Sequence, residues 1–168
     1  MTNIENLDFQ NLNEDIHNDI SDIYQKSLSE NKKGFVQSSS FHGGIIDQVL
    51  EIEKDGGHFI AMSLNGKTIG FGALKAHKDG AEAFELCKLH VLSQYHSKGL
   101  GRKLSEELVK VAKSKNAKKV DLHVTITQKC ALNLYKSLGF KQTGRQVFEV
   151  EVDNKTQSFD TVLMEIDL

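Results

Sequence analysis

Hydrophobic positions along the chain change period several times, and the changes mark out its elements. Ile16, Ile20, Ile23, Tyr24 and Leu28 recur at helical spacing, which predicts an early amphipathic helix broken at Lys32-Lys33-Gly34. A serine-rich loop over residues 37–40 follows, and Gly43 and Gly44 introduce a second helix on which Ile46, Val49 and Leu50 share a face. The period then falls to two. Residues 58–64 and 67–74 flank Asn65-Gly66, a dipeptide suited to a two-residue hairpin turn because both positions accept positive φ. Lys78-Asp79-Gly80 predicts another turn, before a strand over residues 83–92. Leu100, Leu104, Leu108 and Val111 restore the helical stripe, opposite a polar face of Arg102, Lys103, Glu106, Glu107 and Lys110. Residues 119–125 read as a strand, and Ala131, Leu134, Tyr135 and Leu138 as a short helix that Gly139 terminates. Residues 142–152 and 158–166 close the chain as two strands. The order α-α-β-β-β-α-β-α-β-β predicts an α/β (α+β) fold, a mixed and mostly antiparallel sheet with helices on both faces.

Composition narrows the partners. A length of 168 residues without a repeat or a linker-like stretch predicts one domain over residues 1–168. The net charge of −2 and the lack of a basic tract argue against nucleic acid. No apolar run approaches the roughly 20 residues that span a bilayer, so no membrane partner is expected. The first residues lack the basic-then-apolar order of a signal peptide. Cys87 and Cys130 lie outside CxxC spacing and suit a reducing, cytoplasmic compartment. His17, His42, His58, His77 and His90 show no paired ligand spacing, and no metal is expected.

The stretch His96-Ser97-Lys98-Gly99-Leu100-Gly101-Arg102 joins a strand to an amphipathic helix. Glycines there let backbone N–H groups converge on an anion, at the end of the helix that carries partial positive charge. Lys98, Arg102 and Lys103 add charge at the same end. The string is neither a P-loop, which needs GxxxxGK[ST], nor a dinucleotide fingerprint, because Leu104 stands where the third glycine would be. A phosphate-binding turn of another kind is one reading; a glycine-eased helix start is the other.

The run LHVLSQYHSKGLGRKL, from Leu89, closely resembles motif A of the GNAT superfamily of acetyltransferases, Q/R-x-x-G-x-G/A after an L-x-V strand. ALNLYKSLGF, from Ala131, is similar to its motif B, A-x-x-L-Y-x-x-L-G-F. Residues 119–125 lie between them as the expected fifth strand, and the upstream hairpin is similar to the second and third. The resemblance covers residues 57–145. It departs at His96, where Gln or Arg is usual, at Ser93, where proline is often found, and at Gln128, where an Asn often contacts the cofactor.

The resemblance implies a GNAT fold, its sheet splayed between the fourth and fifth strands, and an N-acetyltransferase that moves the acetyl group of acetyl-CoA directly to an amine in a ternary complex. Leu89, His90 and Val91 would line the pantetheine arm through backbone groups, with the Val91 N–H as oxyanion donor. The turn His96, Ser97, Lys98, Gly99, Leu100, Gly101 and Arg102 would hold the pyrophosphate, with Gln128 alongside. Tyr135 would protonate the leaving thiolate. An amine with a pKa of about 10.4 is neutral in roughly one molecule in a thousand at pH 7, so a base is expected. Glu85, in the family's Glu-Leu position on the fourth strand, and His123, on the fifth, are the candidates. Cys87 alternates with Glu85 and Leu89 inside a strand and reads as structural rather than nucleophilic. The acceptor is open between a small-molecule amine and a protein or peptide amine, contacted by residues 33–44 and by the connection over residues 153–158. A bulkier acyl-CoA donor, a non-catalytic acyl-CoA sensor and a homodimer also stay open.

Overall fold

The computed structural model describes residues 6–35, 44–79 and 82–168. Among them the chain forms β1 (Leu7–Gln10), α1 (His17–Glu30), α2 (Ile45–Lys54), β2 (His58–Leu64), β3 (Lys67–Ala76) and β4 (Ala83–Val91). There follow α3 (Leu100–Ser114), β5 (Lys119–Thr125), α4 (Lys129–Ser137), β6 (Lys141–Val152) and β7 (Lys155–Asp167). One seven-stranded sheet runs in the order β1-β2-β3-β4-β5-β7-β6. Every neighbouring pair is antiparallel except β4–β5.

Each face of the sheet buries one of the apolar sets. On one face Leu100, Leu104 and Leu108 of α3 and Tyr135 of α4 pack on Ile69, Leu74, Leu86, Leu122 and Met164. On the other, Ile20, Ile23 and Tyr24 of α1 and Val49 of α2 cover Phe59, Ala61 and Phe71. Gly72 lets α3 lie close on β3: a Cβ there would sit 2.7 Å from Leu108 Cδ1 and 3.0 Å from Leu89 Cδ1. Interiors this dense have no room for the extra carbon.

The hairpin at Asn65-Gly66 forms as the dipeptide predicts, with φ of 51° and 79° and Leu64 paired to Lys67. Other details differ from the sequence reading. The four-residue β1 was not anticipated; it is held by pairing with β2 from Leu7↔Leu64 to Gln10↔Ala61. On α2 the buried stripe is Ile45, Val49 and Ile52, while Leu50 is 47% exposed, because the helix is rotated about its axis from the face expected. At the end of α3 the fully buried position is Ala112 rather than Val111. The connection expected over residues 153–158 is only the turn Asp153-Asn154, both at positive φ, with Val152 paired to Lys155. The loop over residues 37–40, Gly43 and Gly80 lie outside the described residues.

The parallel pair is short. Among the described residues β4 and β5 share only Ala83↔Lys119, Phe84↔Val120 and Glu85↔Asp121. Beyond them β4 carries a bulge: Ala73 faces Cys87 and Phe71 faces His90, so Lys88 and Leu89 together oppose Gly72. Lys88 takes the left-handed conformation that this extra residue needs, with φ 55°. A bulge bends its strand and sharpens the twist, so β4 turns away from β5 and a wedge opens between them.

Candidate active site

Leu86, Cys87, Leu89, Leu122, Val124 and Tyr135 line a cavity of about 200 Å³ in the wedge. A second cavity, of about 550 Å³, shares Leu89, Gln128 and Ala131 with it and ends on Ser97, Gly99 and Gly101. The two make one path from the sheet's centre to the head of α3. Along that path the strand edge is open. The Leu92 N–H donates to the Ile69 carbonyl at 2.9 Å, across β3. Strand alternation therefore turns the backbone groups of Leu89 and Val91 away from β3 and into the wedge. On that side His96 Nε2 donates to the Val91 carbonyl at 2.7 Å.

The path ends in a turn shaped for an anion. Ser97 and Gly99 both have positive φ, 61° and 74°, and Gly99 caps α3. The first helical bond runs from the Lys103 N–H to the Gly99 carbonyl at 3.1 Å, which leaves the amides before it without helical acceptors. Among the described residues nothing lies within 4 Å of the position a Cβ on Gly99 would take, so a phosphate-sized group can approach the backbone there. Lys98 Nζ lies 5.7 Å from the Tyr95 ring, beside the turn. Two expected ligands have side chains engaged within the fold. Leu100 points its side chain into the core. Arg102 turns its guanidinium along the helix to Glu106 (3.0 Å) and Ser137 (2.8 Å).

Gln128 precedes α4 and lines both cavities. Its Nε2 would be 2.7 Å from a Cβ on Gly34, so it packs tightly under the segment that leaves α1. His90 also borders the wedge cavity. Its ring is buried on the α1 face, with Ser27 Oγ 2.8 Å from Nδ1 and Tyr24, Phe35 and Phe71 at ring distances of 5.3, 5.5 and 5.3 Å.

Tyr135 reaches the wedge from α4. Burial first, and Cys87 second, hold its phenol above the usual range. Cys87 itself is pushed up to about 12, by burial and then by Glu85, so it stays a protonated thiol. The two candidate bases are neighbours. His123 Nδ1 and Glu85 Oε1 are 3.7 Å apart, with side chains 49% and 25% exposed. The His123 ring stacks on Phe148 of β6 at 5.9 Å and 26°.

Residues that the sequence did not single out complete the α1–α2 side. Tyr24, Phe35 and Lys88 line the wedge cavity, and Lys88 also borders a further cavity of about 330 Å³ with Gln48, Glu51, Asp55 and Glu85. Among the described residues no group of His, Cys, Asp and Glu side chains is arranged to hold a metal, and no helix is long and apolar enough to cross a membrane.

Comparison with known proteins gives the family and the fold. The model of the acetyltransferase (GNAT) family matches residues 14–140. An uncharacterized N-acetyltransferase of Methanocaldococcus jannaschii is 24% identical over 143 residues, covering 83% of this chain and 62% of its own length. N-acetyltransferase 8 of Rattus norvegicus is 25% identical over 135 residues, 80% of this chain and 51% of its own. The chain thus spans only about half to three-fifths of these relatives. A phosphinothricin acetyltransferase of Sinorhizobium meliloti, solved in complex with acetyl-CoA, superposes with a TM-score of 0.78 over 96% of this chain and 88% of that one, at 16% identity.

Proposed function

The chain belongs to the acetyltransferase (GNAT) family, and from that premise we propose that it is an acetyl-CoA-dependent N-acetyltransferase acting directly on an amine. One observation carries the reading: β4 parts from β5 after three residue pairs, and the open edge at Leu89 and Val91 leads to the positive-φ turn at the head of α3. A ligand that is an amide-bearing thread at one end and a pyrophosphate at the other matches that order of groups. A strand edge takes amides, and a helix N-terminus takes phosphate.

When bound, acetyl-CoA would supply the activated acetyl group and a thiolate leaving group. The amides of residues 97–102 would hold the pyrophosphate, while Leu89 and Val91 would hold the arm. The Val91 N–H would stabilise negative charge on the carbonyl oxygen. Glu85 and His123 would take the ammonium proton as a pair and pass it to solvent through the half-exposed imidazole. Tyr135 would protonate the sulfur. Burial and then Cys87 hold this phenol above its usual range, so it carries its proton at neutral pH. The protonated Cys87 also supports direct transfer, with no acyl-enzyme.

We extend the proposal to one domain over residues 1–168, working in the cytoplasm, where the free thiols of Cys87 and Cys130 are stable. The acceptor is a small-molecule amine or a protein or peptide amine. Thiol release from acetyl-CoA over a panel of amines tests the reading, and one acetylated amine per CoA is the expected result. CoA binding in calorimetry without thiol release from any amine would make the protein a sensor instead. Faster release from propionyl- or succinyl-CoA would change the donor and keep the enzyme.

A further inference from the structure

We infer that the acceptor is an amino carboxylic acid whose carboxylate is bound by Lys88 on the α1–α2 side of the wedge; this names the substrate class of the site proposed above and rests on that reading. The bulge that opens the wedge also sets Lys88 apart from the other lysines. Cys87 borders the α1–α2 side, and the extra residue puts Lys88 on that side too, where its Nζ lies 6.0 Å from the Tyr24 ring. Of the described lysines only Lys88 and Lys119 are not exposed; Lys119 meets Glu165 at 3.5 Å, whereas Lys88 forms no ion pair among the described residues.

A partly buried ammonium without a counter-ion is unfavourable and waits for one. Burial holds Lys88 below the ordinary lysine range, and Glu85 opposes the shift from beyond ion-pair distance. The Tyr24 ring, at the outer limit of cation–π contact, is a weak substitute for an anion.

The cosubstrate does not supply that anion. Its phosphates belong at residues 97–102, the far end of the path, and the arm that would pass Lys88 is uncharged. What remains is the acceptor, because Lys88 borders both the wedge cavity and the cavity shared with Glu85. Glu51 and Asp55 line the outer part of the latter, and Asp55 lies 3.9 Å from Lys78. A wall that presents the half-buried Lys88, with the exposed Lys75 and Lys78, beside Glu85 and Glu51 suits a zwitterion better than a simple anion. The ammonium goes to the Glu85–His123 pair and the carboxylate to Lys88.

The test uses the full chain saturated with CoA, titrated by calorimetry with matched N-acetyl products that differ only in the carboxylate. The pairs are N-acetylalanine against N-ethylacetamide, N-acetylphenylalanine against N-acetylphenethylamine, and Nα-acetyllysine against N-acetylcadaverine. In at least one pair the carboxylate-bearing member should bind about tenfold or more tightly. Lys88→Met should bring that ratio close to one, and Lys88→Arg should keep it. Equal binding within every pair in the parent protein overturns the proposal, as does a ratio that survives in Lys88→Met. Thiol release is followed separately on the free amines. Its absence with every amine overturns the acetyltransferase reading, while the binding ratio still decides the role of Lys88.

Discussion

Glu85 Oε1 lies 3.7 Å from His123 Nδ1, at the point where β4 and β5 cease to pair. Two side chains that the sequence offers as alternatives are neighbours in the fold. Glu85→Gln and His123→Gln should each lower kcat/KM, and the double variant should lose little more than the worse single. Groups that act together fail together. Losses that multiply in the double variant would show two independent roles. With two amines of different basicity, the acidic limb of the pH profile should move in both singles. A limb that follows the amine and ignores both side chains would mean that the site selects the rare neutral acceptor.

Tyr135→Phe should lower kcat by about 10²–10⁴-fold, with little change in the KM for acetyl-CoA. The ring stays in the core, so Tm should hardly move. Because burial raises the phenol, the proton it donates is retained to higher pH. No alkaline loss of kcat from Tyr135 is therefore expected up to about pH 10. An unchanged kcat in the phenylalanine variant would reduce Tyr135 to packing.

At the anion turn Gly101→Val is the cleaner probe. Its Cβ would meet Leu134 Cδ2 at an ordinary 3.6 Å, whereas any side chain at Gly99 must adopt φ 74°. Gly99→Val therefore adds backbone strain of about 1–2 kcal/mol to whatever it does to the ligand. Both should weaken CoA binding in calorimetry by about tenfold to a hundredfold, the scale of a hydrogen bond to a charged group. CoA binding at parental strength in both variants would move the pyrophosphate away from this turn.

Stability should depend on His58. Burial, and secondarily Lys115, lower its pKa in the fold. A lowered value favours the neutral ring in the native state. Its stabilising contribution is thus present above about pH 6.5 and is lost as the pH falls through the folded value. Urea midpoints should drop between pH 7 and pH 5 in the parent and drop less in His58→Gln. Parallel slopes would remove His58 from the account.

What the sequence disclosed was local. The GLG turn and the helix with Tyr135 are short strings whose spacing carries their geometry, and both stand where the strings predict. What stayed hidden depends on register between distant segments. The bulge at Lys88 exists only because Ala73 and Phe71 of β3 pair with Cys87 and His90. No property of Cys87-Lys88-Leu89 alone announces it. The Glu85–His123 contact likewise follows from which residues of two parallel strands lie side by side. His90 borders the wedge cavity, as its family position suggests, and strand alternation turns its ring to Tyr24 and Ser27, a contact no local string announces. Arg102, whose charge stands at the head of α3, also meets Glu106 one helical turn away.

The short β4–β5 pairing makes the sheet two leaves on a narrow spine. One leaf, β1 to β4, is contiguous in the chain; the other is β5, β7 and β6; α3 crosses between them. Amide hydrogen exchange should be slow across each leaf and fast at Leu89 and Val91, whose outward groups face no strand. A molecule lying in the gap supplies the missing rung. It would join the leaves into a single cooperative unit, so saturation would protect residues on both sides of the spine as well as those it touches.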